Sequence, residues 1–175
     1  MPLDPNIQPK YNVNTPPIVA PRTQGQIISL MNIDQMRYMA FEPFSGSALP
    51  CGVIVTGSTN TMGKTIVSQP TATGTMLLGA TIWNQQRILT WNNALSCYMY
   101  AADDMVSLLE EGDIVMYSEV AVDVGQPVYN RVVADAALNR IGALSNAAGT
   151  GLELVPRARF LEKSAAGLVR VHVDF

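Results

Sequence analysis

Charge is the scarcest property of this chain. Asp, Glu, Lys and Arg make up 14% of its 175 residues, where soluble domains average about 25%. Eleven basic residues stand against 14 acidic ones, a formal charge of −3, which excludes the basic footprint of a nucleic-acid binder. A single histidine, His172, would have to serve any Ser/His/Asp or Cys/His mechanism. The two cysteines, Cys51 and Cys97, form no close-spaced motif, so free buried thiols are expected and not a bridge. No apolar run reaches the ~20 residues of a membrane helix. The amino terminus carries Pro2, Pro5 and Pro9 in place of the apolar stretch of a secretory signal. Neither nucleic acid nor membrane is expected as a partner.

Hydrophobic residues make up 48%, and a chain of this length buries roughly 70% of its unfolded surface, so no cofactor, metal or disulfide is needed to hold a core. With so little charge, the surface must be wide, uncharged and rich in Thr, Asn, Gln and Ser. That composition suits a subunit packed against neighbours, itself included.

Residues 1–26 stand apart. Six of the eleven prolines lie there, and proline fixes φ and removes a donor, so an extended or polyproline-like arm is expected. Tyr11, Val13, Ile18 and Val19 are its candidate anchors on a partner or neighbour surface. Residues 27–175 read as a mainly β domain, with an antiparallel β-sandwich or a barrel-like core. Gly52–Thr56, Met76–Trp83, Arg87–Trp91, Ser96–Tyr100 and Pro127–Val133 are strand patterns separated by turn signals. The final run alternates strictly, Leu168, Arg170, His172 and Asp174 facing one way and Val169, Val171, Val173 and Phe175 the other. The segment 103–112 has two readings: a short amphipathic helix stopped by Gly112, or a strand Met105–Leu109, a turn Glu110–Asp113 and a returning strand Ile114–Tyr117. The second fits the short-strand rhythm that Val120–Val124 continues. Asp135–Asn139 reads as a short helix, and Ala143–Gly151, all small residues but one Leu and one Asn, as an exposed loop.

Motifs that would carry chemistry fail on spacing. Gly57 to Gly63-Lys64-Thr65 imitates a phosphate loop, but five residues separate the glycines where four are required. The β-branched Ile66-Val67 and Pro70 that follow do not make a helix, so a hairpin turn is expected. His172 reads as an outward strand residue. Asp103-Asp104 lacks the rest of a calcium loop. Glu42, Glu110 and Glu119 could supply a glycosidase pair, but that chemistry is set by the separation of two carboxylates, which a sequence does not show. Gly149-Thr-Gly151 lacks the third glycine of a dinucleotide fingerprint. Nine Met, two Trp, six Tyr and four Phe are dispersed as packing residues. No catalytic residue is assigned.

A succession of weak signals is more informative than any one of them. Phe44-Ser-Gly46, Gly52-Val-Ile-Val55, Leu78-Gly79-Ala80, the run from Asp104 through Glu110-Glu111-Gly112 to Val115, Val122-Asp-Val-Gly125-Gln-Pro-Val128 and Gly167-Leu-Val-Arg-Val171 follow one another in order. In that order, over roughly residues 22–175, the chain resembles the structural cement (capsid decoration) proteins of tailed bacteriophages. Gly25-Gln26 is similar to a Gly-Gln pair common near the start of that family, and Asp103 stands where the family often has glycine. The resemblance implies a non-enzymatic virion protein, made in the host cytoplasm, that binds the outer surface of the capsid. It would cement neighbouring capsomers against DNA pressure, with the phage major capsid protein and other copies of itself as partners, a trimer ahead of a dimer. The competing readings are another virion subunit (tail, baseplate or head fibre) and a small hydrolase built around His172.

Overall fold

In the computed structural model the described residues are 22–27, 37–38, 43–59, 62–83, 89–134 and 140–175, and among them there are strands and no helix. The strands are β1 (Arg37–Tyr38), β2 (Phe44–Ser45), β3 (Leu49–Pro50), β4 (Ile54–Thr59), β5 (Thr65–Ser68), β6 (Leu77–Thr81), β7 (Thr90–Asn92), β8 (Cys97–Tyr100), β9 (Leu108–Ser118), β10 (Pro127–Arg131), β11 (Leu144–Ser145), β12 (Leu152–Phe160) and β13 (Gly167–Asp174). The strict alternation at the carboxyl end does what it predicts. Val169, Val171 and Val173 are fully buried, and β13 pairs antiparallel with β9 from Gly167↔Ser118 to Asp174↔Glu111.

The main sheet runs β11-β10-β12-β13-β9 and continues through β6, β4, β5 and β2. A parallel pairing at Leu144↔Ser118 joins β11 back to β9. This closes the first five strands into a barrel, which removes the sheet edges that a flat arrangement would leave open. Ile114, Met116, Val128, Leu144, Val155 and Phe160 fill it. Burial of each such side chain contributes about 1.5–3 kcal/mol. A second cluster, with Leu49, Cys51, Val55, Tyr100, Val106 and Leu108, lies under the three-stranded sheet β3-β8-β7. The Tyr100 hydroxyl inside it donates to the Ile82 carbonyl at 2.7 Å, so the buried polar tip is satisfied.

The turn expected at Glu110–Asp113 does not form, and neither does the helix. Strand β9 is continuous over eleven residues, with Gly112 in its middle. The Glu-Glu-Gly-Asp composition of a turn is overridden because both flanks of this stretch have partners: β13 pairs with residues 111–118 and β6 with Leu108 and Leu109. Gly112 has φ 142°, a conformation that side-chain-bearing residues rarely adopt. Val120–Val124 is also no strand; it contributes one bridge, Val122↔Ser164, before the turn at Gly125. In 143–151 the first three residues are buried, and Leu144–Ser145 is the strand that closes the barrel. Small side chains there signal close packing at a seam and not exposure. The expected helix at 135–139 lies outside the described residues.

Asp103 has φ 65°. This is the left-handed region, where glycine is unstrained and other residues pay a steric penalty. Asp103 holds the conformation through its N–H bond to the Ser45 carbonyl, 2.8 Å.

Candidate interaction surface

The residues available for catalysis do not converge. His172 on β13 stands opposite Asp113 on β9, its Nδ1 2.9 Å from Asp113 Oδ1. Both thiols are fully buried, Cys51 in the second cluster and Cys97 at the start of β8. Burial pushes the Cys51 thiol up to about 12, with Cys97 beside it adding to the shift, and burial raises Cys97 as well. Thiols held neutral are poor nucleophiles. Among the described residues no three His, Cys, Asp or Glu side chains gather as a metal site. The phosphate-loop imitation is the β4–β5 hairpin, paired antiparallel from Thr56↔Ser68 to Thr59↔Thr65. No helix dipole stands behind it.

Arg22–Gln26, five residues that composition groups with the arm, are bonded into the body. The Arg22 guanidinium grips the Glu162 carboxylate with two prongs, one of them 2.9 Å long. The Arg170 N–H donates to the same carboxylate at 2.9 Å. Burial alone would raise the Glu162 pKa, but these hydrogen bonds and the positive charge outweigh it and leave the carboxyl below its ordinary value. Gln24 is buried and donates to the Gly52 carbonyl at 3.1 Å. Gly25 donates to the Val115 carbonyl and accepts from Trp83 N–H, each at 2.8 Å. Here two backbones touch. A Cβ on Gly25 would lie 2.7 Å from Cys51 Cβ and 2.8 Å from Gly52 N, and one on Gly52 would lie 2.4 Å from Gly25 N. Only glycine fits either position.

Two apolar features mark the outside. On the small sheet, Trp83 stacks on Tyr98 with centroids 5.6 Å apart, and Trp91 meets Tyr98 edge-on at 5.1 Å. Trp91 is half exposed at the edge strand β7. On the barrel flank, β12 pairs with β13 at Arg159↔His172 and Phe160↔Val171, and beyond these pairs a groove opens. Met76, Leu77, Leu154, Pro156 and Phe175 line it, around a cavity of about 300 Å³. Met76 is 78% exposed and Leu154 48%, an unusual display for large apolar side chains. The charged groups at its rim are engaged: Arg157 with Asp174 at 3.3 Å, and the Glu153 carboxylate with the Gly74 N–H at 2.8 Å.

The arm anchors read from the sequence, Tyr11, Val13, Ile18 and Val19, lie outside the described residues. The sequence does not announce the groove residues, because Met76, Leu154 and Phe175 are brought together only by the fold. The nearest signal was Met76 itself, a large apolar residue directly after the Gly74-Thr75 turn.

Comparison with known proteins agrees with this architecture. The family described as structural cement protein (E217 gp24/Pam3 gp6) matches residues 7–174. No curated protein matches. Among solved structures, a chain from the capsid of Myoviridae phage XM1 shares the fold with a TM-score of 0.62 and 19% identity, covering 87% of this chain and 90% of that one.

Proposed function

The chain belongs to the phage structural cement protein family, and from that premise we propose that it binds the outer face of a phage capsid and ties neighbouring capsomers together without catalysing a reaction. The observation that carries this reading is the family match over residues 7–174. The fold shared with a phage capsid chain supports it, as does a surface that presents apolar patches where an enzyme would present convergent polar groups. Its partners in this reading are the major capsid protein and other copies of itself, a trimer ahead of a dimer. It is made in the host cytoplasm and resides on the virion.

The arm belongs to the same reading. The family match begins at residue 7 and so takes in Tyr11, Val13, Ile18 and Val19. Proline limits the entropy of the free arm in advance, so ordering it on an adjacent subunit costs less than ordering an ordinary tail.

A protein that binds only the intact shell raises the shell's apparent stability by mass action. Heads stripped of it are expected to release DNA at lower temperature than complete heads, and to recover when it is added back. Equal release from the two would overturn the cement reading, and labelled protein decorating tails in electron micrographs would replace it with a tail role.

A further inference from the structure

The groove between β12, the end of β13 and the turn before β6 is built for an extended, uncharged segment. We propose that it receives residues 1–21 of a neighbouring copy, so that the cement subunits are strapped to one another by exchanged arms. This rests on the arm reading above and names the surface on which the arm lands.

Three observations lead there. The first is shape. Leu154 and Pro156 of β12 are exposed and, with Met76, Leu77 and Phe175, line an open apolar trough in which an extended segment can lie. The second is charge. Residues 1–21 contain one acid, Asp4, and one base, Lys10, while the charged rim of the groove is already satisfied internally by Arg157–Asp174 and by Glu153 with Gly74. An uncharged ligand with apolar side chains costs least to desolvate there.

The third is length and point of departure. The arm leaves the body at Arg22, held at Glu162 in the β12–β13 connection. Twenty-one extended residues reach roughly 70 Å. The body, at about 150 residues, has a radius of gyration of only about 15 Å. Proline-rich chain keeps its direction over several residues. Such an arm overshoots its own barrel and lands on the next one.

The test places a photo-cross-linker in the groove of the full-length protein. Leu154→p-benzoylphenylalanine, and separately Met76→p-benzoylphenylalanine, is prepared as an equal mixture of light and nitrogen-15-labelled protein and bound to heads lacking it. After irradiation and trypsin, the groove peptide is expected joined to Tyr11–Arg22, with heavy–light pairs as frequent as matched pairs. Matched pairs alone mean the arm folds onto its own body and overturn the exchange. Groove peptides joined to the major capsid protein, or no cross-link in head-bound protein, overturn the groove assignment and leave the cement reading standing. Wild-type protein that fails to bind heads overturns both.

A variant pair supplies a second readout. Leu154→Arg, an exposed substitution, is expected to weaken head binding about tenfold with unchanged unfolding, and no further when residues 1–21 are also deleted. Additive losses would show that arm and groove act separately.

Discussion

The guanidinium of Arg140 lies over the ring of Tyr117, 3.9 Å from its centroid. From there it donates to the Leu95 carbonyl at 2.9 Å and to Gln24 Oε1 at 2.7 Å. One side chain thus joins the barrel strand β9, the turn before β8 and the incoming segment. Burial lowers its pKa from the ordinary value, against the opposing pull of Cys97 and Tyr117.

Arg140→Ala removes the stack and leaves the buried Gln24 amide oxygen without its donor. A buried unsatisfied group costs about 1–3 kcal/mol and a cation–π contact adds about 0.5–2 kcal/mol, so a loss of about 2–4 kcal/mol is expected in urea unfolding. Arg140→Lys should recover less than half of it, because an ammonium can neither stack on the ring nor reach both acceptors. Full recovery by Lys would mean that charge alone matters at this position.

The barrel seam carries a second tie. Glu119 and Arg131 form a two-pronged ion pair with bonds of 2.7 and 2.6 Å and side chains 6% exposed. Their backbones hold Leu144 and Ala143 of the closing segment, Glu119 N–H on Leu144 O and Arg131 N–H on Ala143 O, both 2.9 Å. Glu119→Gln removes the negative charge that faces the buried Arg131 guanidinium and is expected to cost about 3–5 kcal/mol. The double change Glu119→Leu with Arg131→Met should return to within about 1 kcal/mol of the parent, since an apolar pair needs no partner. Calorimetry of the two variants beside the parent decides. A single variant as stable as the parent would show that the seam is held by packing alone.

The Arg22–Glu162 anchor sets a pH dependence. The Glu162 pKa is lowered in the folded protein from an ordinary value of 4.5. Its contribution is therefore fully present above that value and is lost as pH falls through the folded pKa. Melting temperatures of the parent and of Glu162→Gln, measured from pH 7 downward, should differ by a constant amount above about pH 5.5 and converge below 4.5. A gap that persists at the lowest pH would assign the effect to shape and not to charge.

Asp103 offers a stabilising change. At φ 65° a non-glycine residue is strained by roughly 1 kcal/mol, and the backbone bond to Ser45 survives substitution. Asp103→Gly should leave stability unchanged or raise it by up to about 1 kcal/mol, and Asp103→Val should lower it by about 1–3 kcal/mol. Thermal unfolding of the pair checks the order.

Much of this fold was legible because its strands are amphipathic. Val169, Val171 and Val173 announce a buried face by alternation, and Gly57 to Thr65 reads correctly as a hairpin. The misreadings share one cause: composition is local and pairing is not. Glu110–Asp113 looks like a turn until strands on both flanks are seen to hold it straight, and Leu144–Ser145 looks like loop until it closes a ring. The candidate groove was illegible for the same reason, since its walls come from three distant segments.

The arm can be cut at two places, and the structure distinguishes them. Composition puts its end at residue 26, yet Arg22, Gln24 and Gly25 bond to Glu162, Arg140, Val115 and Trp83. Removing residues 1–21 spares all of these contacts. Removing residues 1–26 deletes them, uncovers the close approach at Gly52 and leaves Arg140 without one acceptor. The shorter deletion should therefore unfold at the temperature of the full chain while head binding weakens at least about tenfold, or 1.4 kcal/mol. The longer one should lose about 3–6 kcal/mol of stability as well, three or four buried hydrogen bonds at about 1–1.5 kcal/mol each. Unfolding curves and binding isotherms on stripped heads, run on both truncations, separate the two roles. If the shorter deletion saturates heads at the same concentration as the full chain, residues 1–21 contribute nothing to docking. If the longer one is as stable as the shorter, Arg22–Gln26 merely rests on the body.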